Sequence, residues 1–297
     1  MRRRGEAING VLLLDKPYGV SSNAALQTSR KLLNAAKAGH TGTLDPLASG
    51  LLPLTFGEAT KFSADLLYAD KTYIANVKLG QTTTTGDLEG QYVETKPVTC
   101  DRAQIDEVLV GFRGEIKQVP PMFSALKRDG KTLYELAREG VQLELEARTV
   151  TIAYLEVLSY EDEVLTIEVT CSKGTYIRVL AEDIGRALGC GAHLVSLRRT
   201  KVGDLSIEDA VQLDDFRAMD AQARKAALAP IDRLMQSLPV VTLDEEQTVR
   251  FCHGQRLPLG LAECERVRVY GPDNQMVGTA RITEYGVLAP ERLIANQ

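Results

Sequence analysis

The spacing of apolar positions changes repeatedly along the chain, and each change marks an element. Gly10 to Leu14 is a continuous apolar run, the pattern of a short buried strand. Ser21 and Ser22 then precede Ala24 to Leu33, where the spacing predicts a helix capped by one of the two serines. Leu51 to Phe56 predicts a strand and Glu58 to Leu67 a helix. From Thr72 onward Tyr73, Ala75, Val77 and Leu79 fall on one face, the period-two alternation of a half-buried strand. Thr82 to Gly90 reads as a polar turn, and Gln91 to Val93 opens the returning strand.

Further on, Asp101 to Val110 predicts an amphipathic helix. The segments TVTIAYLEVLSY and EVLTIEVTCS predict an antiparallel hairpin turning at Glu161 to Glu163. Tyr176 to Leu188 predicts a helix stopped by Gly189, and His193 to Leu197 a strand. Strands and helices mix without regular βαβ alternation, and no glycine-rich phosphate loop follows a strand. The class is therefore α+β with a mixed, largely antiparallel central sheet. Residues 205–237, rich in Asp, Ala and Leu, read as helices. Beyond Leu238-Pro239 come short strand signals at 240–243, 266–270 and 276–281, separated by turns such as GPDN. These predict a small β domain at 238–297 and a boundary near 237.

Composition narrows the class. With 297 residues, 44% hydrophobic and 25% charged, the chain can bury one large core plus a smaller domain. The apolar run Val11 to Leu14 ends at Asp15, too short for a signal peptide or a membrane span, so a cytoplasmic protein without a membrane partner is expected. Five cysteines lack any Cys-x-x-Cys pair and the chain has three histidines, so no metal site is expected. The net charge of −5 disfavours a polyanion partner at first sight, but the basic residues are clustered. Residues 171–201 hold six basic side chains against two acidic, and residues 113–138 hold six against three. Two such segments in an acidic chain suit a localised polyanion site.

The candidate chemistry lies in GHTGTLDPLASGLLPLTFGEATK, residues 39–61. It carries one acid in its loop, Asp45, with no second carboxylate until Glu58 and a single histidine, His40. Taken alone, Asp-Pro is a common turn starter.

The segment does not stand alone. DKPYGVSSN at 15–23, GHTGTLDPLASGLL at 39–52, GEATK at 57–61, KTYIANVKLG at 71–80 and TGDLEG at 85–90 resemble the bacterial tRNA pseudouridine-55 synthases. So do VPPMFSALKRDGKTLYELAREG at 119–140, CSKGTYIRVLAEDIG at 171–185 and HLVSLRRTKVG at 193–203, all in that family's order. One departure is the threonine run at 82–85, where the family often carries an acid.

The resemblance implies a pseudouridine synthase fold with a catalytic domain at 1–237, a thumb-like insertion over RNA at 113–147 and a PUA-like C-terminal domain at 238–297. It implies an isomerase that breaks the uridine N1–C1′ bond, turns the uracil and rejoins it through C5. No redox cofactor or energy source is required. Asp45 is the implied catalytic residue, attacking C1′ as a nucleophile or removing the C2′ proton as a base. An ordinary glycosidase would need two flanking carboxylates. Tyr73 resembles the tyrosine stacked on the uracil, Arg178 the arginine paired with the acid, and Tyr176 and Leu197 the remaining pocket walls. His40 is expected to stack or hydrogen-bond in the RNA loop vacated by the flipped nucleotide, and Lys16 to brace the pocket or touch phosphate. The substrate implied is the T stem-loop of tRNA, bound by a monomer without guide RNA or obligatory protein partner. An RNA N-glycosylase using the same acid, and an RNA-binding or tRNA-folding factor with incidental chemistry, are the competing readings.

Overall fold

A computed structural model describes residues 5–295 apart from 123, 125, 129 and 142. By compactness the chain forms two units. One holds the residues up to Pro46, Gly50–Leu67 and everything from Gly203 onward, and the other Leu47–Ser49 and Tyr68–Val202.

In the first unit the apolar run becomes the strand Gly10–Lys16, paired antiparallel with Ala48–Phe56 and parallel with Val211–Gln212. The strand Ala38–His40 lies antiparallel on the other side of Ala48–Phe56. Val11, Leu14, Leu51, Leu52, Leu54 and Phe56 are all 0% exposed, so these strands are buried on both faces, as unbroken apolar runs require. The serine pair caps the helix Ser22–Leu32: the Ser21 hydroxyl accepts the Ala24 N–H at 3.1 Å. GEATK does not start an α-helix but a 3₁₀ segment, Gly57–Phe62, continued by the helix Ser63–Tyr68. Gly57 has φ +55°, and a Cβ there would meet Asn9 Oδ1 at 2.1 Å, so only glycine fits this turn.

The stretch 205–237 is less helical than its composition predicts. It holds the short strands Leu205–Ser206 and Val211–Gln212 besides the helices Leu213–Ala218 and Ala221–Ala226. Sheet pairing of 211–212 with Leu14 and Asp15 overrides local propensity there. Beyond it, Val240–Thr242, Cys264–Tyr270, Met276–Ile282, Val287–Leu293 and Leu257–Pro258 pair in that order. They form a sheet with its own core of Leu243, Phe251, Val267, Val269, Ala280 and Leu288. A helix the strand signals did not reveal, Glu245–Cys252, contributes Phe251, and Asp244 with Gln247 closes it by a reciprocal capping box.

The second unit is built on five antiparallel strands in the order Ala192–Val202, Lys71–Leu79, Val164–Cys171, Arg148–Glu161 and Gly114–Gln118. Residues 114–118, read in sequence as the start of an insertion, are thus an edge strand paired with 148–152. The described part of the remaining insertion is a two-residue hairpin, Lys127–Arg128 with Lys131–Thr132, and a helix Leu133–Arg138. Asp129 and the side chains of Lys127 and Arg138, counted among the charges above, lie outside the described residues. The helix Ile177–Ala187 packs Ile177, Leu180, Ala181 and Ile184 into the core with Ala75, Val77, Ile167 and Val169. Gly185 sets how closely it approaches the sheet: a Cβ would meet Ala192 N at 2.3 Å.

Candidate active site

Asp45 is solvent-exposed between two buried neighbours, Leu44 at 3% and Ala48 at 1% exposure. The loop that carries it is held on both sides of the carboxylate by the segment 19–22. The Ser22 hydroxyl accepts the Leu44 N–H and donates to the Leu44 carbonyl, both at 2.8 Å. Gly19 N–H donates to the Pro46 carbonyl at 2.8 Å. An exposed acidic residue is thereby carried on a loop whose Leu44 and Pro46 backbone groups are satisfied by the segment 19–22. Lys16 is fully buried and gives its ammonium to the carbonyls of Pro17 (2.9 Å) and Val20 (2.6 Å), which curls the turn 17–20 around one charge. His40 ends the strand Ala38–His40 opposite Leu54 and is half-buried.

In the second unit Tyr73 stands half-buried on the strand Lys71–Leu79, opposite Val169 on one neighbour and Arg199 on the other. Leu197 is opposite Ala75, and both Leu197 and Tyr73 pack on the core. Tyr176 is the residue before the helix Ile177–Ala187, and it is clamped. The buried Gln118 amide accepts the Tyr176 N–H at 2.7 Å and donates to its carbonyl at 3.1 Å.

Arg178 is not a surface charge: it is 8% exposed and forms an ion pair with Asp87 at 3.2 Å. Asp87, 5% exposed in the motif TGDLEG, also accepts from the Thr85 hydroxyl at 2.5 Å and from Glu89 N–H at 3.0 Å. The departing threonine run serves this loop, since Thr83 donates to the Asp87 carbonyl at 2.7 Å. Glu182 abuts Gly86, and burial pushes its carboxyl above the ordinary value. At the head of the Tyr73 strand, burial and then the Arg199 charge pull the Lys71 ammonium down to about 8.

The basic segment 171–201 offers fewer surface cations than its sequence suggests. Arg178 and Arg199, at 8% and 1% exposure, are interior groups. Lys173 remains outside, its ammonium 3.5 Å above the Tyr68 ring. Among the described residues no three His, Cys, Asp or Glu side chains gather as metal ligands, and no helix is long and apolar enough to cross a membrane.

Three residues of consequence escaped the pattern reading. Ser22 was legible only as a cap candidate, Asp87 only as part of a polar turn, and Gln118 not at all. For Asp87 the available signal was an acid in a glycine-flanked turn, in a chain with an arginine to bury.

Known structures share this architecture. The chain superposes on the H/ACA RNP bound to a substrate RNA containing 2′-deoxyuridine with a TM-score of 0.73, at 28% identity over 97% of this chain and 85% of that one. A Cbf5-Nop10-Gar1 complex gives a TM-score of 0.72 at 29% identity, covering 96% and 84%. The fold is that of the pseudouridine synthases, mixed α/β with a central mixed sheet and a β-rich C-terminal part.

Family models then cover nearly the whole chain. They are TruB family pseudouridylate synthase (N terminal domain) at 30–177, tRNA pseudouridylate synthase B C-terminal domain at 178–237 and Pseudouridine synthase II TruB, C-terminal, at 239–294. The chain is 60% identical over 295 residues to tRNA pseudouridine synthase B of Burkholderia lata, covering 97% of this chain and 91% of that one. It is 57% identical over 297 residues to the protein of the same name from Cupriavidus metallidurans, covering 97% and 94%. The chain belongs to the TruB family of pseudouridylate synthases.

Proposed function

We propose that this chain isomerises uridine 55 in the T loop of tRNA to pseudouridine, with Asp45 as the group that acts on the ribose. The observation that carries the reading is an exposed carboxylate on a loop tied at Leu44 and Pro46, in a chain whose curated relatives are named tRNA pseudouridine synthase B.

The reaction conserves the substrate's atoms. The N1–C1′ bond breaks, the uracil turns, C5 bonds to C1′, and the C5 proton leaves while N1 gains one. One carboxylate suffices, either by adding to C1′ or by taking the C2′ proton, because uracil departs as a stabilised anion and returns within the pocket. Tyr73 stacks on the uracil, with Tyr176 and Leu197 as the other walls. Arg178, alongside its ion pair with Asp87, takes the role of the cation that orients the acid. His40 fills the loop the uridine leaves, and Lys16 braces the turn 17–20. Flipping costs a few kcal/mol. Stacking on an aromatic side chain, at about 1–3 kcal/mol per base, offsets much of it.

In this reading the catalytic domain is 1–237, with the insertion beyond the edge strand 114–118, residues 119–147, reaching over the RNA, and 238–297 is a PUA-like RNA-binding domain. The separate core under the strands of 240–293 supports that division. The enzyme works alone as a cytoplasmic monomer on tRNA. Identity of 57–60% to synthases of tRNA, against 28–29% to chains solved in an H/ACA RNP and in a Cbf5-Nop10-Gar1 complex, favours that over a multi-component assembly.

The test is Asp45→Asn, which keeps the side chain's size and removes nucleophile and base together. Turnover of T-arm RNA should vanish while affinity stays within about tenfold, or 1.4 kcal/mol. Multiple turnover by a preparation free of wild-type enzyme refutes the assignment.

A further inference from the structure

The turn between the strand Gly10–Lys16 and the helix Ser22–Leu32 carries a ring that the reaction above does not use. Tyr18 is 62% exposed. Single exposed tyrosines are ordinary, but the fixing of this one is not. The buried Lys16 ammonium holds the carbonyls on either side, Pro17 at 2.9 Å and Val20 at 2.6 Å. Gly19 takes φ +80° and donates its N–H to Pro46, and the exit is pinned by Ser21 and Ser22 through Ala24 and Leu44. Turn chemistry here calls for Pro17 and Gly19, and for no particular residue between them.

Position adds to this. Gly19 N–H reaches the residue after Asp45, and standard backbone lengths then put the Tyr18 and Asp45 Cα atoms no more than about 11 Å apart. A Cβ on Gly19 would meet no atom within 4 Å, so the outer side of the turn is open. Asp45 and Pro46 are exposed as well.

We propose that Tyr18 is a stacking platform for an unpaired nucleobase of the RNA, the one next to the uridine that leaves the stack. This rests on the reading of the chain as an RNA uridine isomerase. Flipping a uridine strips its neighbour of a stacking face. An aromatic ring on a turn already fixed loses little conformational freedom when it covers that face, and it accepts any base.

The experiment measures affinity for a T-stem-loop RNA at one fixed salt concentration, with thermal melts confirming that each variant folds. Tyr18→Ala should weaken binding about 5- to 150-fold, the range for one lost base–aromatic stack. Tyr18→Phe, which keeps the ring, should bind within about threefold of wild type. RNAs with an abasic ribose at each loop position in turn locate the partner. At one position flanking the target, wild type loses the same factor and Tyr18→Ala loses nothing further. Tyr18→Ala binding within about twofold of wild type, or a penalty that persists with every abasic RNA, overturns the proposal. If wild type itself neither binds nor isomerises this RNA, the isomerase reading fails and takes the inference with it.

Discussion

Ser22→Ala tests how the loop that carries Asp45 is held. Ser22 is 2% exposed, and its hydroxyl satisfies both the N–H and the carbonyl of Leu44, itself 3% exposed. Deleting the hydroxyl leaves two buried backbone groups unpaired at about 1–3 kcal/mol each, less for a carbonyl that tolerates undersatisfaction, for a sum of about 2–4 kcal/mol. The loop has one escape, which is to shift until water reaches Leu44. Stability then recovers in part, but Asp45, the next residue, moves with it, and a displacement of about 1 Å at a reacting group costs on the order of 10²-fold in rate. Urea unfolding and single-turnover kinetics on T-arm RNA, run on the same preparation, capture both branches. We expect a loss of about 2–4 kcal/mol, a fall in turnover of ten- to a hundredfold, or a share of each, with RNA affinity changed by less than about threefold. A variant within about 0.5 kcal/mol of wild type that also turns over at the wild-type rate refutes the argument.

Other consequences follow from single contacts. Asp87→Asn keeps acceptors for Thr85 and Glu89 but removes the charge facing the buried Arg178, so unfolding free energy should drop by about 2–4 kcal/mol; a urea midpoint equal to wild type contradicts a structural role for the pair. Gly185→Ala drives a Cβ into the backbone of Gly191 and Ala192, and should cost about 3 kcal/mol or more; a melting temperature unchanged within 2 °C counts against the close packing of helix on strand. Burial raises the Glu58 carboxyl, but hydrogen bonds from Lys61 at 2.6 Å and Ala295 N–H at 2.7 Å outweigh it and hold its pKa below the ordinary carboxyl value. A carboxyl lower in the folded state stabilises above its unfolded pKa, so the gap between wild type and Glu58→Gln should be full at neutral pH and shrink below about 4.5. A gap that stays constant through that range removes the linkage.

Much of the fold is legible in the pattern of side chains because burial there follows simple periods. Tyr73, Ala75, Val77 and Leu79 announce their strand, and the helix expected over 101–110 forms at Arg102–Val110. What pattern does not reveal is where long-range pairing decides. Val211 and Gln212 form a strand only because Leu14 and Asp15 offer an edge, and residues 114–118 join the sheet through 148–152 rather than through their own alternation. The site divides the same way. Asp45, Tyr73 and Arg178 stand in motifs, as do Ser22 and Asp87, but a motif marks a position without naming the partner it meets. Ser22 and Gln118 act through hydrogen bonds to partners 22 and 58 positions away and Asp87 through an ion pair 91 positions away, and no local signal encodes those distances. The interior positions of Arg178 and Arg199 follow the same rule: composition counts charges, and only the packed structure says which of them face water.

The central claim is intramolecular isomerisation rather than hydrolysis, and one labelling experiment separates the two. Both begin with a flipped uridine and a carboxylate at the sugar, so binding data and the Asp45→Asn variant look alike under either. The products differ, because a glycosylase must admit water to C1′ and release the base, whereas an isomerase keeps the base until C5 faces the sugar. T-stem-loop RNA carrying tritium at C5 of the target uridine is incubated with the purified protein alone, without nucleotide or added metal. Isomerisation requires tritium to appear in water in step with one pseudouridine per RNA, with strand length and base count unchanged. Free uracil released in proportion to enzyme turnover, with an abasic ribose left in the strand, contradicts it.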